Sequence, residues 1–530
     1  MILWFLACAP PASEPDPEPG PTLLRGPALL RRISLDLRGI PPDVAELDAV
    51  EDDPSLVWTY RDQYLDDPLL EERLIEIFNL DFHTLINEFE WSWGDLFPNQ
   101  EMGRHYAQAR QVGEEPLRYM ARIAIEDRPW TEVVTGDTTM ATPLLASFTP
   151  VDYDPADTGW EEVHYDDGRP SAGVLAMNAM WWRYESNFAN FNRSRAAAIT
   201  RILLCRDMFE RTVSFSSTGG ALSTDEIDDA VHNQAECLAC HATLDPLSAT
   251  MFGFYTSAAE IVTYRPEREA LGPEMLEVEK AYYGTPVESL ADVGELIAAD
   301  PRFPRCTTQH MAQALWARDL EDGDAATIDG LDADFVRGGL LLKPLLAAIT
   351  ETEEYRLGAV ALDTPEDDLP DYAAARMMPP DMLADAVEEA TGFRWVIGET
   401  DLMSEDDDGF RQIAGGVDGI SQLRTQRVPG VMWTLVVKRL AEAAAGHVVD
   451  RASDGEPLFA HALLTTRSTD PEFALEVEEL WWHLTATRLT DAEVQAYADL
   501  FDTVEALDGT ESAWQSVIAA MLRDPAFLFY

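Results

Sequence analysis

The spacing of apolar residues constrains the fold more than any other feature of this sequence. In DPLLEERLIEIFNLDFHTLINEF (Asp67–Phe89) they recur at helical intervals, which gives an apolar stripe opposite an acidic face. PPDVAELDAV (Pro41–Val50) repeats the pattern with proline in its first turn, where the missing N–H has no helical partner to lose. SRAAAITRILLC (Ser194–Cys205), STDEIDDAVHNQAECLACH (Ser223–His241) and LTDAEVQAYADLFDTV (Leu489–Val504) continue it. The last two open on capping boxes, Ser223 with Glu226 and Thr490 with Glu493. Only RTVSFS (Arg211–Ser216) and FRWVIG (Phe393–Gly398) read as strand. The expected fold is therefore mainly α.

A chain of 530 residues, 46% hydrophobic, is long enough for several such units. ALDTPEDDLPD (Ala361–Asp371) reads as a linker. LLAAITETEEYR (Leu345–Arg356) and VIAAMLRDPAFLFY (Val517–Tyr530) echo one another, each an apolar helix, a polar break and an aromatic, as if closing a unit. The expected divisions are a tether at 1–22, a helical domain at 23–170, a second at 171–361 and a third at 362–530. Asp plus Glu number 96 against 38 Lys plus Arg, a net charge of −58. That opposes nucleic-acid binding and docking on an anionic membrane, both of which need a basic surface. The acid is spread along the chain and reads as a hydrated surface. The acidic stretches Asp319–Asp334 and Ser404–Phe410 lack calcium-loop spacing and read as solvated loops.

The first residues, MILWFLACAPPASEPDPEPGPT, run from an apolar stub to Cys8 and then into proline and acid. Leu6-Ala7-Cys8 is similar to a bacterial lipobox, although the stub is short and has no basic start. Export is the expectation, with Cys8 as candidate for lipidation and the only membrane attachment foreseen.

ECLACHATLDPLS (Glu236–Ser248) holds two of the five cysteines as C-x-x-C-H. Residues three apart share a helix face, so Cys237 and Cys240 can meet one edge of a porphyrin and add to its vinyl groups as thioethers. His241 then offers its imidazole to the iron. Asp245-Pro246 is expected to stop the helix. The expected cofactor is one covalent haem c, held by Cys237, Cys240 and His241. A structural zinc site lacks further ligands nearby. A thioredoxin-like pair normally opens a helix, whereas this motif is expected late in one. A simple disulfide is the remaining alternative. For the sixth iron position Met251 is the candidate, folding back after the helix stop, with Met177, Met180, a distant histidine or an open position as alternatives. His232 lies on the same expected helix and cannot reach the distal face. Cys205 and Cys306 flank the motif and are candidates for a disulfide, against two separate buried thiols.

Several of these stretches resemble one family. RRISLDLRGIPPDVAELDAV (Arg31–Val50), GVLAMNAMWWRYESNFANFNRSRAAAITRILLC (Gly173–Cys205) and CLACHATLDPLSATMFGFY (Cys237–Tyr255) are similar to segments of the planctomycete-type cytochrome c proteins, large exported bacterial proteins. DPRFPRCTTQHMAQALWARDL (Asp300–Leu320) and the C-terminal LTDAEVQAYADLF and VIAAMLRDPAFLFY resemble their later helical domains. The resemblance implies an exported, periplasmic or cell-surface, mainly α protein with a cytochrome-c-like haem-binding segment in its middle. It implies no particular reaction. Electron transfer to an unidentified redox partner protein is the expected function. The alternatives are a haem-dependent oxidoreductase or peroxidase, and a non-catalytic acidic binding protein with a structural haem. For the last, Trp181-Trp182 and Trp481-Trp482 could line a site, although helix packing explains such pairs more simply.

Overall fold

The helix Gly26–Arg38 is buried along most of its length, including Arg31, Arg32 and Asp36, and the rest of the molecule is organised around these charges. The computed structural model describes residues 23–86, 102–184, 186, 190–208, 233–254, 263–358, 376–398, 400–406, 409–452 and 456–530. The architecture is mainly helical, with many helices and no barrel among the described residues. Strand is confined there to three antiparallel two-stranded ribbons, Thr138–Ala141 with Glu161–His164, Ala281–Tyr282 with Thr285–Pro286, and Val396–Ile397 with Thr400–Asp401.

Buried apolar residues fall into two large clusters. One draws mainly on Leu29 to Tyr355, with Trp482 and Ala486 added, and takes in residues on both sides of position 170, Val163 and Ala172 among them. The other runs from Met377 to Leu528 and receives Leu35 from the first helix. The two adjacent arginines of that helix tie the clusters together. Arg31 donates to the carbonyls of Leu484, Phe527 and Phe529 at 2.8, 2.7 and 3.1 Å. Arg32 donates to those of Tyr355 and Leu357 at 2.9 and 2.6 Å. Asp36 accepts from Arg376 at 3.0 Å and from the Tyr530 hydroxyl at 2.8 Å. Burial pulls both guanidinium pKa values down, Arg31 to about 9 and Arg32 to about 10, so both stay charged at neutral pH.

The two echoed segments are what these arginines grip. Helix Leu342–Glu351 is followed by a short helix, Glu353–Arg356, capped by Thr352. Helix Thr510–Met521 is followed by Pro525–Leu528, capped by Asp524. In each the aromatic after the break, Tyr355 or Phe527, is fully buried. Carbonyls in and just after each short closing helix, where helical partners run out, are acceptors for Arg32 and Arg31, and Leu484 adds a third for Arg31.

Most expected helices form with shifted ends. Asp67–Phe89 contributes Leu69–Phe82, ended by His83 in the left-handed region. Pro41–Val50 contributes Val44–Asp52, started by an Asp43/Glu46 capping box. The Thr490/Glu493 box starts Asp491–Asp508. The Phe393–Gly398 strand shrinks to Val396–Ile397. The acidic stretch Asp319–Asp334 is not a loop. Its second half enters helix Ala325–Arg337, because Ile328, Leu331 and Phe335 fall on one face and bury themselves. In the second acidic stretch Asp406 pairs with Arg411 instead of facing solvent alone. All four paired tryptophans are buried, so none lines an exposed site.

Candidate functional site

The C-x-x-C-H motif opens a helix. Ala235–Ser248 starts after Gln234, which puts Cys237 in its first turn and Cys240 and His241 in its second. The expectation of a helix running from Ser223 to the motif is corrected in this respect. Ser223, Glu226, His232 and the Arg211–Ser216 strand lie outside the described residues. Pro246 does not end the helix either. The helix continues through it to Ser248 and then as a 3-10 turn over Ala249–Phe254. Leu244, Asp245, Leu247 and Ser248 are buried there, and the Ser248 hydroxyl donates to the Leu244 carbonyl at 2.6 Å. Tertiary contacts thus hold a backbone that proline alone would break.

The two halves of this helix differ. Ala235, Leu238, Ala239 and Ala242 are exposed, an apolar surface on a chain of net charge −58. Cys237 and Cys240 are half-buried beside them and are not bonded to each other. The Cys240 sulfur lies 3.6 Å from the Met208 carbonyl, which anchors that edge.

His241 is held from behind. Its Nδ1 lies 3.0 Å from Oδ1 of Asp245, one helical turn on. Arg193 clamps the same carboxylate with two bonds, at 2.6 and 2.9 Å. Burial pushes the Asp245 carboxyl up, but the hydrogen bonds from His241 and Arg193 outweigh it and hold the group below the ordinary carboxylate range. An ionised Asp245 requires the proton on Nδ1, so in the neutral ring Nε2 carries the lone pair. Among the described residues Nε2 has no hydrogen-bond partner. This is how a protein prepares an imidazole to bind a metal.

The donor set fits a covalent haem. Two unbonded thiols sit one turn apart on an exposed apolar surface, and the next residue is an imidazole of fixed tautomer.

The structure does not bring Met251 to His241. With no stop at Pro246 the chain cannot fold back. Met251 lies ten residues along the same rod, roughly 15 Å away by helical rise, and fully buried in the core. Met177 and Met180 are buried core residues as well. Cys8 lies outside the described residues.

Cys205 and Cys306 are joined by a disulfide, with Cα atoms 5.2 Å apart. Cys205 is the left-handed C-cap of helix Arg193–Leu204, and Cys306 is on helix Arg302–Trp316. The bond closes a loop of 101 residues around the C-x-x-C-H motif. Beside it stand two residues the sequence did not single out. His310 places Nε2 3.3 Å from the Cys306 sulfur, and its Nδ1 faces Asp81 at 2.5 Å. The ligand atoms of Cys205, Cys306 and His310 lie within 4.8 Å of one another. Sulfurs bonded to each other cannot both act as thiolate ligands, so the oxidised trio is a disulfide and not a metal centre.

No known protein family, curated protein or solved structure matches this chain. No described helix is long and apolar enough to cross a membrane.

Proposed function

We propose that the chain is an exported c-type cytochrome of the planctomycete type, carrying one haem and passing electrons to a partner protein. The observation that carries this reading is the line Arg193–Asp245–His241, which fixes an imidazole beside two unbonded thiols at an exposed, apolar helix start. Cys237 and Cys240 would hold the haem as thioethers, and His241 would hold its iron through Nε2. When bound, the haem supplies a one-electron couple. The rest is done by the chain. Asp245 keeps the proton on Nδ1, so the ring cannot turn its other nitrogen outward. Arg193 compensates the buried carboxylate, and the Leu244–Ser248 turn fixes the helix against the core. The Cys205–Cys306 disulfide supports export, since such bonds persist in oxidising compartments.

The position of the motif at a helix start also favours a second reading, a reactive C-x-x-C dithiol. A potentiometric titration of the matured protein separates the two. A carrier shows a one-electron transition that His241→Ala abolishes or displaces, and it resists carbon monoxide and cyanide where a residue other than Met177, Met180 and Met251 fills the sixth iron position. Ready uptake of those ligands would point to an open-site haem enzyme. A two-electron transition dependent on Cys237 and Cys240, with no haem spectrum, would replace the haem by the dithiol.

A further inference from the structure

We infer that Cys205–Cys306 is a working disulfide which exchanges with external dithiols, with His310 as the proton donor to the departing sulfur. The inference is independent of any haem. Its basis is an asymmetry that a purely structural crosslink does not need. Cys205 is the exposed partner and offers the side from which an incoming thiolate would attack. Cys306 is buried and in contact with an imidazole. The sulfur that can be attacked is therefore the accessible one, and the sulfur that must leave is the one with assistance.

Each neighbour of Cys306 suits that task. Asp81 faces Nδ1 of His310 and turns Nε2 toward the sulfur. Phe78, Phe82, Phe303 and Met311 line a small, largely apolar cavity beside His310 and Asp81. The carbonyl of Ile202 lies 3.5 Å from the Cys306 sulfur, placed to accept from the S–H that forms on reduction. The reduced state thus already has its hydrogen-bond partner.

The reaction balances as follows. One thiolate of a dithiol attacks the Cys205 sulfur, and a new S–S bond forms there. The Cys205–Cys306 bond breaks, and its electron pair goes to Cys306. His310 gives its Nε2 proton to that thiolate and takes another from solvent. The second thiol of the same dithiol then attacks its own first sulfur. It closes as a disulfide and releases Cys205, which takes a proton from solvent. Two electrons and two protons pass from the dithiol to the cysteine pair.

The test uses the full chain without denaturant, with site-resolved alkylation and peptide mass mapping of Cys205 and Cys306. Dithiothreitol is expected to reduce the pair in the folded protein. Glutathione is expected to leave its mixed disulfide on Cys205 and not on Cys306. Reduction is expected to slow about tenfold or more in His310→Gln, the scale of a lost general acid, and by less in Asp81→Asn. Unfolding would expose the bond and speed its reduction, so a slower variant cannot be a misfolded one. The adduct is read on the unaltered chain and decides even where a variant fails to fold. A pair that reacts only after denaturation would overturn the inference. So would an adduct on Cys306, or folded His310→Gln and Asp81→Asn that react as fast as the parent.

Discussion

The two cysteine pairs of this molecule share one device and use it in opposite directions. Each has a histidine whose Nδ1 faces a carboxylate, Asp245 for His241 and Asp81 for His310. Each histidine belongs to an i,i+4 contact on its own helix, His241 with Asp245 and Cys306 with His310. At the C-x-x-C-H helix the free Nε2 has no partner among the described residues, the sulfurs are unbonded, and the adjoining surface is exposed and apolar. At Cys205–Cys306 the Nε2 turns inward onto a bonded, buried sulfur. The difference teaches that a histidine–carboxylate pair does not define a chemistry. Exposure and the bonding state of the sulfur decide whether the ring can take a large ligand or serve a proton.

Removing each cysteine pair breaks the comparison most sharply. In Cys237→Ala/Cys240→Ala covalent haem is expected to vanish completely by mass spectrometry. The haem-free chain should change stability in urea by under about 0.5 kcal/mol, as for other surface changes. In Cys205→Ala/Cys306→Ala the order reverses. Haem attachment remains, and stability falls by about 2–5 kcal/mol, the scale of losing a crosslink across a long loop. Equal destabilisation by both changes would erase the distinction.

A third histidine sharpens the point, because among the described residues no carboxylate bonds to it. His83 is buried, with Nε2 2.9 Å from the Leu423 carbonyl. Burial pushes its pKa down to about 4, so it folds as the neutral ring. In the unfolded chain it takes a proton near the usual value of about 6.5. Its contribution is therefore complete above that pH and is lost as pH falls toward 4. A loss of about 3 kcal/mol over this window is expected by urea titration, at 1.4 kcal/mol per pH unit of pKa difference. The slope should be absent in His83→Gln.

The last effect concerns Asp245. Asp245→Asn should cost about 1.5–3 kcal/mol, the range for hydrogen bonds to charged groups. Because the native carboxyl sits below its ordinary range, that difference should be intact near neutral pH. It should fade as pH drops below about 4, when the unfolded and then the native carboxyl take protons. A pH-independent difference would show that the ionised form is not what Arg193 and His241 hold.

Local patterns were legible in the sequence to the extent that their partners are local. The Thr490/Glu493 box needs only its own first turn, and it forms. The C-x-x-C-H spacing and the two echoed closures are of this kind as well. The i,i+4 spacings His241–Asp245 and Cys306–His310 were there to be read, since residues so placed meet on any helix. Arg193 and Asp81 were not, because each arrives from a distant helix and no spacing signals it. Pro246 misled for the same reason: local propensity argues for a stop, and burial of Leu244, Leu247 and Ser248 overrides it. Nothing local signals that Arg31, Arg32 and Asp36 are buried, because the groups that satisfy them come from both distant chain closures.

The central claim is most directly tested by the mass of the denatured full chain, produced in a host that matures c-type haem. The account predicts the mass of the polypeptide plus one haem, with the addition absent from Cys237→Ala/Cys240→Ala. A bare polypeptide mass, from cells that mature a control cytochrome, would contradict it.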